Sequence, residues 1–242
     1  MISVCMATYN GGKYIREQID SILPQLSSAD ELIISDDGST DDTIKIIQSY
    51  HNPIIKLFHF QRDKTGLEPV QMATTNFENA LKKAKGDIIF LSDQDDVWLP
   101  NKVEVCIKHI TQGYDFISHN YRIVDGNLNP LRDSQYTASF KFNLWRTLFG
   151  RCPFHGCSMV FNRHVLEKAL PFPVGLQSHD RWIGWIACFK FKYKIPAPEI
   201  LMLYRRYDGN VSNPKHHRPL LYRIRTRIKY AKELFSRLIL NI

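Results

Sequence analysis

Apolar residues along the chain follow two rhythms that take turns. Residues 2–7, 31–35, 54–60, 87–91 and 116–124 are short runs rich in Ile, Val, Leu and Phe, and they read as buried strands. Between them, apolar positions recur at helical spacing. Tyr14, Ile15, Ile19, Ile22 and Leu23 share one face, and Pro24 marks the end of that helix. Ser39 or Thr40 is placed to cap the next helix, with Asp41 and Asp42 at its positive end. Ala73, Phe77, Ala80, Leu81 and Ala84 share a face over residues 70–84, and residues 100–110 form another helix. Strands alternating with helices of this length predict crossover units. The expected fold class is therefore α/β, a single mostly parallel central sheet flanked by helices.

Residues 125–157 follow neither rhythm and are rich in aromatics, as an inserted recognition region would be. Helical spacing returns over residues 179–192 and a strand-like run over residues 199–206. At the end of the chain Leu221, Ile224, Ile228, Ala231, Phe235, Leu238 and Ile242 recur at alternating spacings of three and four. That is one stripe of a C-terminal amphipathic helix. The pattern divides the chain into a domain over residues 1–212 and a basic tail over 213–242. Within the domain, residues 1–98 carry the nucleotide-type strand ends and residues 99–212 form a second half.

Charge sharpens the reading of the tail. The net charge of the 242 residues is +8, yet eight Lys and Arg against one acid, Glu233, lie from Lys215 onward. The body is close to neutral, so basicity belongs to the tail. A helix lying on an anionic membrane surface uses such a stripe and charge; a terminal helix packed on the domain with a solvated basic face does too. No nucleic-acid-binding module accompanies the basic residues, so nucleic acid is not an expected partner. No window of 18 apolar residues is free of charge, and the first residues, MISVCMATYN, lack a basic leader before a long apolar run. The five cysteines are odd in number and unpaired at zinc spacing, as in a cytoplasmic chain with reduced thiols.

Candidate chemistry sits where strands end. In an open α/β sheet, ligands bind outside the carboxyl ends of the strands. Three such ends carry unusual polar residues: Thr8-Tyr9-Asn10, Asp36-Asp37, and Asp93-Gln94-Asp95-Asp96. Two carboxylates 4 Å apart repel by about 4 kcal/mol at an effective dielectric near 20. Three acids within four residues fit turn capping poorly and fit a divalent cation, magnesium or manganese, bound together with substrate phosphates. Asp37 can accept a hydrogen bond from a nucleobase imide, with Thr8 and Tyr9 flanking the base. The first turn, TYNGGKY, has no GxGxxG, and the chain has no GxxxxGK[ST], so no glycine cradle for phosphate is present. Asp180, in QSHDRWIGW, starts an apolar helix; it serves either as an acid at the positive helix end or as a general base beside Trp182.

Taken in order, the strand–TYNGG opening, SDDGSTDDT, LSDQDDVWLPNK, GCSMVFNR, HDRW and YRRYDGNVS resemble family 2 glycosyltransferases of the GT-A fold, over roughly residues 1–212. Within that family the chain is similar to bacterial rhamnosyltransferase-like enzymes of O-antigen and capsule synthesis. The resemblance implies inverting transfer from a nucleotide-sugar, of the dTDP-rhamnose or UDP-hexose type, to a glycan or polyprenyl-linked acceptor. It implies donor contacts from Thr8, Tyr9, Asn10, Asp37 and Asp93, a metal held by Asp95 with Asp96 in support, and Asp180 as the catalytic base. Arg205 or Arg206 is placed to clamp the diphosphate; a basic pair on an exposed strand is the other reading. Such enzymes often read YR-x-H-G-x-N near the end, where the His approaches the metal or diphosphate; here Tyr207 stands in its place. The implied location is the inner face of the bacterial cell membrane. Two rivals remain: a non-catalytic nucleotide-binding scaffold of a polysaccharide assembly complex, which needs no base, and a nucleotidyltransferase, which needs a Gly-rich basic loop after the first strand.

Overall fold

The computed structural model describes residues 1–63, 65–137, 139–149, 153–210 and 220–240. Its centre is a sheet of β1 (Ile2–Thr8), β2 (Glu31–Asp36), β3 (Ile55–His59), β4 (Ile88–Ser92), β5 (Val97–Trp98), β6 (Phe116–Val124), β7 (Pro130–Arg132), β8 (Met159–Asn162) and β9 (Tyr193–Arg205). The spatial order is β3-β2-β1-β4-β8-β6-β9-β5, with β7 paired to β6. Side chains alternate across each strand. Val4 and Met6 of β1, Leu32 and Ile34 of β2, and Phe90 of β4 enter one apolar cluster. Cys5, Ile33, Ile89 and Leu91 enter the other. Both faces are covered, which is why these strands read as unbroken apolar runs.

The helices supply the covers. Ile15, Ile19 and Ile22 of α1 (Ile15–Ile22), Ile47 of α2 (Thr43–Gln48) and Val103 and Cys106 of α4 (Lys102–Thr111) close the first face. Phe77, Ala80 and Leu81 of α3 (Pro69–Lys83) close the second, with Val165 and Leu166 of α6 (Arg163–Ala169) and Trp182, Trp185 and Ile186 of α7 (His179–Lys190). A short α5 (Leu144–Phe149) lies between β7 and β8 in the chain. Each buried Ile or Leu contributes about 1.5–3 kcal/mol.

β3, β2, β1 and β4 pair in parallel, so their carboxyl ends share one edge; Thr8 is level with Asp36, and Met6 with Ser92. This register brings the three polar strand ends together. Beyond β4 the sheet is mixed rather than mostly parallel: β4–β8, β8–β6, β6–β7 and β9–β5 are antiparallel, and β6–β9 is parallel. The segment before β8 carries no crossover helix signal, and a four-residue strand is too short for periodicity to reveal. α2 also begins later than the capping pattern predicts, with Asp42 at the N-cap. Ser39 and Thr40 are tied to the first turn instead: the Asn10 N–H donates to Ser39 Oγ at 2.9 Å, and the Thr40 N–H donates to Asn10 Oδ1 at 2.8 Å. The four described cysteines, Cys5, Cys106, Cys157 and Cys188, are buried and form no disulfide among the described residues. Cys152 lies outside the described residues.

The C-terminal helix α8 (Leu220–Phe235) docks through a face different from the expected stripe. Tyr230 and Leu234 are buried and Leu238 packs against the same cluster, whereas Ile228 and Phe235 are 52% and 60% exposed. Backbone carbonyls decide the rotation. The Gln177 N–H donates to Tyr230 Oη at 2.5 Å, Lys229 Nζ to Val174 O at 2.6 Å, and the Arg237 guanidinium to Leu170 O at 2.7 Å. Ile242 and the side chains of Leu221 and Ile224 lie outside the described residues. Among the described residues, no helix is long and apolar enough to cross a membrane.

His119 on β6 is fully buried. Its Nδ1 lies 2.7 Å from the Asn120 carbonyl, so that nitrogen carries the proton, and Nε2 has no partner. Burial, then the Lys102 charge, push the imidazole well below its ordinary 6.5; burial also lowers His155 and His179. Below pH 6.5 the unfolded chain therefore takes up protons that the folded chain refuses, and stability falls with acidification. In urea titrations between pH 7.5 and 5.5, His119→Gln is expected to lose less stability than the native chain, by up to about 1.4 kcal/mol per pH unit below the histidine value. Identical pH slopes would contradict the buried neutral imidazole.

Candidate active site

The tight passage from β4 to β5 crowds Asp93, Asp95 and Asp96. Asp93, Asp96 and Cys157 offer atoms that all lie within 4.8 Å of one another. Asp96 is buried; its Oδ1 accepts the Arg205 N–H at 3.0 Å, and its Oδ2 has no partner. Burial, then the charges of Asp95 and Asp93, hold Asp96 well above the usual carboxylate range. Burial, then Asp95 and Asp180, push Asp93 up to about 7. Asp95 is raised by burial, an effect its hydrogen bonds from Tyr207 and Asn210 partly offset. Lys102 is the cation beneath them. Its Nζ donates to Cys157 O at 2.9 Å and lies 4.0 Å from the centre of the Trp98 ring; burial pulls it down to about 8.

One buried ammonium does not balance three carboxylates. The orphaned Asp96 Oδ2 and the carboxylate oxygens around it fit a hard divalent cation of the magnesium or manganese kind. Burial and then Asp96 push the Cys157 thiol well above its ordinary value, and a soft sulfur is a poorer match than a carboxylate oxygen for such a hard ion.

The residues expected to bind a donor divide into two kinds. Thr8 is buried, with its hydroxyl 3.1 Å from Asp36 Oδ1, so it ties strand ends together. Asn10, at φ 47°, bridges Ser39 and Thr40 and shapes the turn. Tyr9 is 52% exposed, so its ring stands at the surface of this edge. Asp37 is buried and paired with Arg62: Nη2 lies 2.6 Å from Oδ2 and Nε 3.3 Å from Oδ1. Arg62 also donates to the Met72 carbonyl at 2.8 Å and to Thr75, anchoring the pair to α3.

Arg205 is 1% exposed and its donors are engaged within the protein. Nε donates to Asp95 O at 2.7 Å, Nη1 to Gly126 O at 2.6 Å, and Nη2 pairs with Glu17 at 2.5 Å. Its guanidinium carbon lies 4.2 Å from the centre of the Tyr14 ring. Arg205 therefore locks the acid loop to α1 and does not stand open as a diphosphate clamp. A cavity of about 350 Å³ beside it is lined by Lys13, Tyr14, Glu17, Gly126, Asn127 and Leu128.

Asp180 lies in the first turn of α7 and is partly buried. Its Oδ1 accepts the Ser178 hydroxyl and, at 2.6 Å, the Arg181 N–H. Its charge acts on Asp93 and on His155, which brings it electrostatically into the acid cluster although 84 positions separate it from Asp96 in the chain. Tyr207, where the resemblance expects a His, directs its hydroxyl to Asp95 Oδ2 at 2.8 Å. Burial, then Asp95, push that phenol above its ordinary value, so it remains a proton donor.

Sequence reasoning missed Arg62, Gln94, Glu17 and Lys102. Gln94 was the unassigned residue between two acids. Its Oε1 accepts the Tyr9 N–H at 2.9 Å and its Nε2 donates to Tyr9 O at 3.1 Å, joining the acid loop to the first turn. A Cβ at Gly11 would come within 2.3 Å of that Oε1, which makes the glycine of TYNGG the signal for the contact. Lys102 had a signal too, the first Lys after LSDQDD and set among apolar residues; Arg62 had none, since its partner lies 25 positions away.

An α/β sheet that is parallel in its first half and mixed in its second, with covering helices on both faces, is a fold of the GT-A type. The model of "Glycosyl transferase family 2" matches residues 3–170, and the chain belongs to that family. It is 27% identical over 218 residues to WfgD of Escherichia coli, a UDP-Glc:alpha-D-GlcNAc-diphosphoundecaprenol beta-1,3-glucosyltransferase, covering 89% of this chain and 81% of that one. An uncharacterised glycosyltransferase of Nostoc is 28% identical over 226 residues, 86% of this chain and 65% of that protein. The crystal structure of S. aureus TarS 1-349 in complex with UDP-GlcNAc superposes with a TM-score of 0.72 at 19% identity, over 98% of this chain and 66% of that one. The mannosyltransferase PcManGT of Pyrobaculum calidifontis, in complex with GDP-Man and Mn2+, gives 0.58 at 20% identity, over 98% and 64%. The chain thus spans just under two thirds of the Nostoc relative and of TarS 1-349.

The Asp37–Arg62 pair is buried on both sides, with side chains 5% and 10% exposed. Arg62→Ala is expected to cost about 3–5 kcal/mol in urea unfolding because it strands a buried carboxylate. Adding Asp37→Asn should return part of that loss in a double-mutant cycle. A cost below about 1 kcal/mol for Arg62→Ala would place the pair among surface ion pairs.

Proposed function

We propose that the protein is an inverting glycosyltransferase moving a sugar from a nucleotide-sugar to a glycan or lipid-linked acceptor in surface polysaccharide synthesis. The observation that carries this is the Asp180 carboxylate acting across the site on Asp93 while its Oδ1 is already satisfied by Ser178 and Arg181. That leaves Oδ2 as the basic atom. The acceptor hydroxyl forms a bond to the anomeric carbon as the bond to the diphosphate oxygen breaks on the opposite face. Its proton passes to Asp180 Oδ2, and the electron pair leaves on the nucleoside diphosphate. Asp95 and Asp96 are the residues to hold a divalent cation, which would supply electrostatic stabilisation of the leaving diphosphate. Asp93 faces the ribose or diphosphate; Asp37 accepts from the base, and the exposed Tyr9 ring packs beside it. The UDP-Glc specificity named for WfgD and the UDP-GlcNAc bound to TarS support a donor of the UDP-hexose type; dTDP-rhamnose is the other candidate. A non-catalytic scaffold would need Asp180 only as a helix-end acid, not as a base.

The test is a thermal-shift panel of nucleotide-sugars with and without manganese or magnesium, followed by a radiolabelled-transfer assay. One nucleotide class is expected to raise the midpoint only when metal is present. Asp180→Asn should keep that shift and lose transfer by about 10²–10⁴-fold. Near-normal transfer by Asp180→Asn would remove it as the base; no shift from any nucleotide would overturn the reading altogether.

The exposed strip of α8 supports peripheral attachment at the inner face of the bacterial membrane, where a polyprenyl-linked acceptor resides. Ile228 and Phe235 are bare apolar side chains beside the exposed Arg225, Lys229 and Lys232. The protein is expected to sediment with phosphatidylglycerol vesicles and not with phosphatidylcholine vesicles. Ile228→Glu with Phe235→Glu should abolish that binding without changing the unfolding midpoint. Unchanged sedimentation would exclude this face.

A further inference from the structure

The residue that departs from the family pattern, Tyr207, sits in a fitted position. Its ring centroid lies 4.9 Å from that of Tyr14, and a Cβ at Gly209 would come within 2.5 Å of its edge. Its backbone N–H donates to Asn210 Oδ1 at 2.7 Å. Since Oδ1 is thereby the acceptor, the other end of the Asn210 amide is the donor. That Nδ2 reaches Asp95 Oδ2 at 3.2 Å and Arg205 O at 3.2 Å. The Tyr207 hydroxyl reaches the same Asp95 Oδ2 at 2.8 Å. Two donors from the end of β9 thus converge on one oxygen of one carboxylate, and neither touches Oδ1.

The main chain agrees with this arrangement. The carbonyl of Asp95 accepts Arg205 Nε at 2.7 Å, and Arg205 N–H holds the adjacent Asp96 at 3.0 Å. Residues 205–210 therefore grip Asp95 by its backbone and by one carboxylate oxygen. A carboxylate free to spin about its last bond would present either oxygen to a cation; this one cannot without breaking both hydrogen bonds.

We propose that Tyr207 and Asn210 are positioning residues that turn Asp95 Oδ1 toward the divalent cation. In place of a histidine ligand, the chain supplies a phenol and an amide that orient a carboxylate ligand from outside the coordination sphere. Partners of that kind fix ligand geometry, and their loss weakens metal affinity by about 10- to 100-fold.

This inference rests on the proposed Asp95–Asp96 cation site, and the experiment separates the two. Free manganese would be titrated by electron paramagnetic resonance into the native protein and into Tyr207→Phe, Asn210→Leu and Asp95→Asn, each checked for its unfolding midpoint. Tyr207→Phe keeps the ring between Tyr14 and Gly209 and removes only the hydroxyl. It is expected to raise the manganese dissociation constant about 10- to 100-fold while the unfolding midpoint barely moves. Asn210→Leu should shift it in the same direction, and it decides the matter if Tyr207→Phe fails to fold. Native affinity in Tyr207→Phe, or in Asn210→Leu where that variant decides, with binding lost in Asp95→Asn, would overturn the positioning role and leave the metal site standing. Native affinity in Asp95→Asn would overturn the metal site itself.

Discussion

Mutual repulsion among Asp93, Asp95 and Asp96 is the constraint that the surrounding architecture answers. Burial raises the carboxyl groups of all three, and the Asp95 charge raises Asp93 and Asp96 further. The answer is partial by construction. Lys102 lies below them, Arg205 binds the loop from β9, and Tyr207 and Asn210 take one oxygen of Asp95. Asp96 Oδ2 is left without a partner. A loop relieved completely by internal partners would have no reason to bind a cation and a diphosphate.

The parallel half of the sheet makes this possible by registration. β1 and β2 end level and β4 ends two residues short of β1, so three loops meet at one edge. Most polar side chains there build the edge itself. Thr8 joins Asp36, Asn10 joins Ser39 and Thr40, and Gln94 joins Tyr9. The groups proposed to meet ligands are a smaller set: Tyr9, Asp37, the carboxylates of the acid loop, and Asp180. A residue type that suits a nucleotide equally suits a turn, and only the partner it has found distinguishes the two.

Arg205 illustrates how such choices fall. A basic pair after a strand is a natural phosphate clamp, but the Arg205 side chain is turned inward onto Glu17, Gly126 and the Tyr14 ring. Taking a guanidinium out of water is costly unless its donors are satisfied, and here they are. The tail shows the same principle at larger scale. Hydrophobic spacing located the helix, but carbonyls at Val174, Leu170 and Pro171 and the Tyr230 hydroxyl set its rotation, so Tyr230 and Leu234 went in while Ile228 and Phe235 stayed out. Spacing records which positions are apolar; it holds no information about which polar atoms await the helix on the other side.

Sequence alone determined the alternation of strands and helices, the first four strands and their covering helices, and the gathering of polar residues at the strand ends. These follow from local periodicity and from the expense of crowding carboxylates. It left undetermined the mixed second half of the sheet, the brief β8 and its helix α6, and the partners Arg62, Gln94 and Glu17. Pairing direction and distant partners depend on contacts across tens of positions, which no window of sequence contains. The tertiary structure decided which polar residues are consumed in building the site and which are left facing its ligands, because a hydrogen-bonding group is available only when the fold has not already satisfied it.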